Sequence, residues 1–376
     1  MTEAQTKAKA KVNAALLYKS LRKTSVATLK PPSLVAGGAD NEPNLPRGVV
    51  HLRHWLTLNL TVNVANSTSG ALTAGGTVSP NGALDYLQQI YYSANNVSKF
   101  LVLTGAQAFK IGMWQMGIDS SVNAAHNSIF QNDEIFSIPT ASIPANGSTN
   151  FTASVRIPIN FSGTHTATPN LIGFSTLNPE IKTFEINAQF GIAASMISGL
   201  AAGVTASITS ATLGVTAEYY PPNYFPISDA YEPLYYAGLA QANQKAITGA
   251  VSNADIGGIP YGANYAYKSL FLFVDNTATS PFSTPSDTLV SSVNLIYNTS
   301  NYLLNNMSIN ELKAENQYLG NNAVVPGMFV LPMTYYGNLT DIFNTSGLSS
   351  FNMNFSTTGA CNLTLIGETI NQNIAA

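Results

Sequence analysis

Few side chains in this sequence have types and spacings suited to chemistry: four histidines, one cysteine and a single adjacent acidic pair, Asp133-Glu134. His51 and His54 lie three residues apart where a strand begins. In a regular strand that spacing puts them on opposite faces, which argues against a shared metal and for ordinary polar histidines. His126 and His165 stand alone in sequence. Asp133-Glu134 follows Asn132 in a turn-like stretch and reads as a solvated loop. Cys361 sits in a strand-like run, where a buried, inert thiol is the expected state, and one cysteine excludes an internal disulfide. No HExxH, GxSxG, phosphate loop or dinucleotide fingerprint occurs, and no alternating aspartates suggest a calcium loop. The expectation is a protein that is not an enzyme and has no cofactor, metal or catalytic residues.

Charge points elsewhere. Residues 1–53 hold nine Lys/Arg and three Asp/Glu (+6), and the remainder holds seven and sixteen (−9), giving the net −3 of the chain. The amino-terminal segment is therefore a separate electrostatic object. Lys7, Lys9, Lys11, Lys19, Arg22 and Lys23 would suit a lipid head-group surface, a genome or a neighbouring acidic subunit, or they belong to a solvated helix that orders on assembly. Beyond residue 53 the chain is acidic, so no specific nucleic-acid recognition is expected there.

The elements that would carry these residues are mostly strands. Ala4 to Lys23 has helix formers throughout, with Val12/Leu16 and Leu17/Leu21 spaced by four, and predicts a basic, weakly amphipathic helix. Pro31, Pro32, Gly37, Gly38, Pro43 and Pro46 predict an extended arm over 24–46. From Val49 on, apolar/polar alternation dominates, first in His54 to Val64 and later in seven further runs from Asn150–Phe161 to Asn362–Ile366. Charged residues are only 9% of the chain and hydrophobic ones 45%. A surface so poor in charge predicts little dependence of stability on pH or salt. The uncharged stretch Phe190–Ala217 is rich in Gly, Ser and Thr, and predicts a small-residue loop or short helix leading into a strand rather than a membrane span. Met1 to Ala15 lacks the apolar core of a signal peptide, so folding in the cytoplasm is expected.

The segment Tyr219-Tyr220-Pro221-Pro222-Asn223-Tyr224-Phe225-Pro226 breaks any strand, and the halves on either side repeat. Val64-Ala65-Asn66 matches Val274-Asp275-Asn276, and Leu87–Tyr92 matches Val293–Tyr297. A helix-like stretch follows each, in the second half Asn301 to Tyr318. Val155–Ile159 matches Phe329–Met333, each with a proline that implies an edge or a bulge, then Phe184–Asn187 matches Phe351–Asn354 and Thr212–Tyr219 matches Asn362–Ile366. Two copies of one β-sandwich account for the order.

The sequence of a basic helix, a proline-rich arm, LDYLQQIYY (84–92), FTASVRIPINF (151–161), IKTFEINAQF (181–190), TLGVTAEYYPPNYFP (212–226) and YAYKSLFLFVDN (265–276) resembles the double jelly-roll major capsid proteins of the tectivirus type. The resemblance implies an all-β chain of two tandem eight-stranded jelly rolls: a helix and arm over 1–46, a first jelly roll over 47–222 and a second over 223–376. It implies a homotrimeric, pseudo-hexagonal capsomer in an icosahedral virion, made in the host cytoplasm. Its partners would be neighbouring capsomers, penton and minor capsid proteins, and an internal viral membrane met by Lys7 to Lys23. Residues 66–82 and 118–149 would be exposed surface. The other reading of the composition is an extracellular surface-layer or adhesin-type β-sandwich, which the missing signal peptide disfavours.

Overall fold

The computed structural model describes residues 21–95, 98–117, 130–161, 174–176, 181–221, 236–263, 265–278, 281–319, 325–333 and 343–371. Sixteen strands carry the architecture. In the first half they are β1 (Arg22–Leu29), β2 (Gly38–Glu42), β3 (Val50–Asn66), β4 (Leu87–Ala94), β5 (Ser98–Leu103), β6 (Ser148–Asn160), β7 (Phe184–Phe190) and β8 (Val204–Tyr220). In the second they are β9 (Tyr236–Ile247), β10 (Val251–Gly258), β11 (Ala266–Asn276), β12 (Val290–Tyr297), β13 (Asn301–Ser308), β14 (Met328–Pro332), β15 (Phe351–Thr357) and β16 (Cys361–Asn371). Helix α1 (Gly105–Gln115) follows β5, and α2 (Ile309–Leu319) follows β13.

The two halves share one topology. The first packs the order β1-β8-β3-β6 against β2-β7-β4-β5, and the second packs β9-β16-β11-β14 against β10-β15-β12-β13, so each strand n corresponds to n+8. Each is an eight-stranded jelly roll of two four-stranded sheets. All five segment pairs matched in the sequence fall on corresponding strands. Their cores follow from alternation: Leu56, Leu58, Leu60, Val62 and Val64 of β3 are fully buried, while Thr57, Asn59, Thr61 and Asn63 between them face outward. Pro158 and Pro332 sit on β6 and β14, which end their four-strand orders, where a missing N–H costs no ladder bond.

The arm expected over 24–46, and the last residues of the expected helix, are strands instead. β1 pairs with β8 from Arg22↔Tyr219 to Leu29↔Leu213, and β2 pairs with β7. The prolines do not prevent this, because Pro31 and Pro32 lie between the two strands and Pro43 and Pro46 after them. The turn between them needs glycine at Gly37, where φ is +67° and a Cβ would lie 2.4 Å from the Phe190 carbonyl oxygen. The first jelly roll therefore includes residues 22–46. The boundary expected at 222/223 lies outside the described residues, as do residues 1–20.

The helix expected from Asn301 begins only at Ile309. Asn301–Ser308 is β13, which returns from β12 through Asn298 and Thr299, both at positive φ as a tight hairpin turn requires. Ser308 and Glu311 then form a reciprocal capping box: the Glu311 N–H donates to Ser308 Oγ and the Ser308 N–H to Glu311 Oε2. Thr104 and Gln107 form the same box before α1. The Phe190–Ala217 stretch is the end of β7, a short 3-10 turn (Ala193–Ser195), a short strand and β8, and none of the described helices is long and apolar enough to cross a membrane.

Candidate functional site

The chemistry-bearing residues are mostly built into the core. His51 and His54 are fully buried and in contact, with His54 Nε2 3.0 Å from His51 Nδ1. The expected opposite-face placement fails because β3 carries a bulge: Arg53 pairs with Glu218 and His51 with Tyr219, leaving Leu52 as an extra residue that turns His51 inward. The hydrogen bonds fix the tautomers. The Pro46 carbonyl can only accept, so His51 Nε2 donates to it at 2.8 Å, His54 Nε2 donates to His51 Nδ1, and the Tyr92 hydroxyl donates to His54 Nδ1 at 2.9 Å. Every ring nitrogen of the two histidines is satisfied with both rings neutral. Phe161 and Phe184 close around them, and burial lowers the His51 pKa from 6.5 to about 4 and that of His54 well below its usual value.

The acidic pair divides. Asp133 is buried, accepting the Ile135 N–H and the Ala83 N–H at 3.0 Å each, so it staples two turns rather than lying in a solvated loop. Glu134 is exposed and accepts from Thr152. Cys361 is buried in β16, and burial pushes its thiol pKa up. His126 and His165 lie outside the described residues. Among the described residues no three His, Cys, Asp or Glu side chains gather as metal ligands.

Of the basic residues, Lys7, Lys9, Lys11 and Lys19 lie outside the described residues, and Arg22 and Lys23 open β1. Arg22 is exposed opposite Tyr219. Lys23 Nζ is 3.3 Å from Glu218, which also accepts from Trp55 Nε1 at 2.8 Å, while Arg156 lies over the Trp55 ring at 4.1 Å. This cation–aromatic cluster lies on the outward face of the β1-β8-β3-β6 sheet.

The two jelly rolls meet at a built junction, which the sequence reading did not single out. Strand β5 pairs in parallel with β9 at Leu101↔Leu239, so one sheet of each sandwich joins into a continuous sheet. Helix α1 lies across the seam. Trp114 meets Phe271 edge to face at 5.7 Å, and Gln115 Nε2 donates to Glu368, which also pairs with Lys268 Nζ at 3.4 Å. Phe271, Phe273 and Ile366 pack into the first core, while Leu270, Leu272 and Val274 pack into the second. Tyr267–Val274 is thus a strand buried on both faces, and the unbroken apolar run LFLFV, Leu270 to Val274, is the sequence signal for the junction. A polar cleft of about 430 Å3 remains at the seam, lined by Asp85 and Lys110 from one roll and Asp275 from the other. Burial raises the pKa of both carboxylic acids and lowers that of the Lys110 ammonium, with the opposite charges tempering each shift.

No family model and no curated protein matches the sequence. Solved structures match along almost its whole length. The STIV major capsid protein is 12% identical, with a TM-score of 0.64 over 94% of this chain and 97% of that one. The fold is the double jelly roll. The PBCV-1 virus capsid model is 9% identical with a TM-score of 0.56, covering 94% of this chain and 95% of that one. The major capsid protein P2 from bacteriophage PM2 is 10% identical with a TM-score of 0.51, covering 94% and 99%.

The double jelly roll also orders the ends of the chain. Arg22 of β1 lies beside Tyr219 at the end of β8, and Tyr236 of β9 beside Asn371 at the end of β16. The start of β3 is at this end too, since His51 contacts Phe184 at the start of β7, which pairs with Ala94 next to the β4–β5 turn. Because β5 and β9 run in parallel, these ends coincide on one end of the molecule. The opposite end carries short strand pairs, Leu72–Thr73 with Ser142–Ile143 and Gly75–Val78 with Ile197–Leu200.

Proposed function

We propose that the chain is the major capsid protein of an icosahedral virus, a structural protein of the virion rather than an enzyme. The observation that carries the reading is the fused pair of sandwiches of one topology, a double jelly roll that matches capsid proteins over 94% of the chain. Two similar domains per subunit allow three subunits to present six similar edges, so a homotrimer can occupy a sixfold position in a shell. Neighbouring capsomers, penton and minor capsid proteins are the partners this implies, and synthesis in the host cytoplasm follows from assembly there.

The amino-terminal segment favours a role at the inner surface. Strand β1 starts at the end where both sandwiches begin and finish, and Lys7, Lys9, Lys11 and Lys19 precede its Arg22 and Lys23 in the sequence. Anionic lipid of an internal membrane is the partner that such spaced lysines suit. The reading is tested by expressing the chain and imaging its assemblies by electron microscopy. Hexagonal capsomers or closed shells are expected; isolated particles without sixfold packing under any assembly condition would reject it.

A further inference from the structure

Three polar side chains are buried together at the seam. Gln115 of α1, in the first jelly roll, and Lys268 of β11 and Glu368 of β16, in the second, are 4%, 7% and 2% exposed. Gln115 Nε2 and Lys268 Nζ approach one atom, Glu368 Oε1, at 3.2 and 3.4 Å. Among the described residues no donor reaches Gln115 Oε1. Lys268 owes its place to a β-bulge: Tyr267 pairs with Thr369 and Ser269 with Glu368, so Lys268 is an extra residue set beside the carboxylate. The surrounding seam is apolar, with Trp114 resting on Phe271, and Phe271 and Ile366 packed into the first core. A buried ion pair is often no more stabilising than apolar side chains of the same volume. An amine, a carboxamide and a carboxylate gathered out of water therefore call for a role besides stability, and together they have the chemistry of acyl transfer to a lysine.

We propose that Lys268 and Gln115 condense into an isopeptide bond that ties the two jelly rolls together covalently, with Glu368 relaying the protons. The Lys268 ammonium first gives a proton to Glu368, which replaces two buried charges by a neutral amine and a neutral acid. Gln115 closes α1, and a turn of its side chain brings Cδ to the amine and Oε1 onto the acid O–H, which polarises the carbonyl and supplies the donor that Oε1 lacks. The Nζ lone pair forms the new bond to Cδ while the carbonyl π electrons move to Oε1. Glu368 then passes a proton from Nζ to Nε2, the Cδ–Nε2 bond breaks with its electron pair on nitrogen, and the carbonyl re-forms. An ammonium and a primary amide become a secondary amide and an ammonium ion, so atoms, charge and electrons balance without oxidant, reductant or cofactor. Holding both reactants on one carboxylate replaces a slow bimolecular encounter, and exclusion of water protects the acyl centre from hydrolysis. The bond is independent of the capsid reading.

The test is the intact mass of the full chain, folded, purified and then denatured for mass spectrometry. The unmodified chain is expected about 17 Da below its sequence mass, the loss of one ammonia, and protease digestion should yield a fragment that joins the segments of Gln115 and Lys268. Gln115→Leu, which leaves the ion pair in place, Lys268→Arg, which keeps the charge beside Glu368, and Glu368→Gln are each expected at their full mass with no joined fragment. The first two keep every buried charge partnered, so the comparison holds even where Glu368→Gln fails to fold. A folded unmodified chain at its full sequence mass overturns the proposal. So does a loss that mild alkali reverses and that leaves no joined fragment, which is the mark of a succinimide at an asparagine–glycine pair such as Asn146–Gly147.

Discussion

At the scale of single residues, His51 and His54 dominate the behaviour of the base of the first jelly roll. Their hydrogen-bond chain from Tyr92 to the Pro46 carbonyl has no place for a second proton on His51, because His51 Nδ1 and His54 Nε2 would then both point hydrogens at each other across 3.0 Å. An unfolded histidine takes up its proton near pH 6.5, whereas folded His51 does so only near pH 4. Between these values the unfolded state binds more protons, so stability rises with pH and is lost as pH falls from about 6.5 to 4. For His51 alone the shift corresponds to about 3 kcal/mol over that window. Asp85 and Asp275, with raised pKa values, act in the opposite direction. Urea midpoints measured from pH 7 to pH 4 should therefore fall steeply, and His51→Phe with His54→Phe should flatten that slope while lowering stability at pH 7. A midpoint independent of pH in the unmodified chain would remove the argument. Composition pointed the other way, since a chain with 9% charged residues has few groups to titrate. What matters is where the few groups sit, and the bulge at Leu52 that turns His51 inward beside His54 is a register feature with no mark in the sequence.

At the scale of elements, close packing of α1 on β6 sets a demand that helix propensity alone contradicts. Gly112 lies inside α1, where alanine is favoured by about 1 kcal/mol. A Cβ there would fall 2.2 Å from the Pro158 carbonyl oxygen, so the helix would have to move off the strand. Gly112→Ala is expected to destabilise the protein by about 1–3 kcal/mol, read from the urea midpoint, despite improving the helix. A neutral or stabilising result would mean that the seat of α1 yields. The strands themselves were legible: alternation from His54 to Val64 and the paired segments of the two halves gave the sandwiches and their duplication. The first two strands were not, because Arg22 and Lys23 read as a helix end, Thr24–Leu29 as part of an extended arm, and Gly38–Glu42 is short and flanked by proline; they become strands only by pairing with β8 and β7, about 150 to 200 residues away in the chain. A local hairpin with β12, turning at Asn298 and Thr299, makes Asn301–Ser308 strand β13 where propensity suggested helix.

At the scale of the whole molecule, the two jelly rolls behave as one body because β5 and β9 share a sheet and α1 carries Trp114 onto Phe271. The seam is apolar at Trp114, Phe271 and Ile366 and polar at the cleft of Asp85, Lys110 and Asp275. The sequence signalled the repeat and the layout of a double jelly roll, but the seat of α1 across the seam was hidden, because nothing local to Trp114 marks Phe271, far along the chain, as its partner. The central claim is that three such bodies form a capsomer. The mass of the purified full-length protein, by size exclusion with light scattering, tests it most directly. A stable species of three 39.8 kDa subunits, about 120 kDa, is the predicted result. A species that remains at 39.8 kDa as concentration is raised would contradict it.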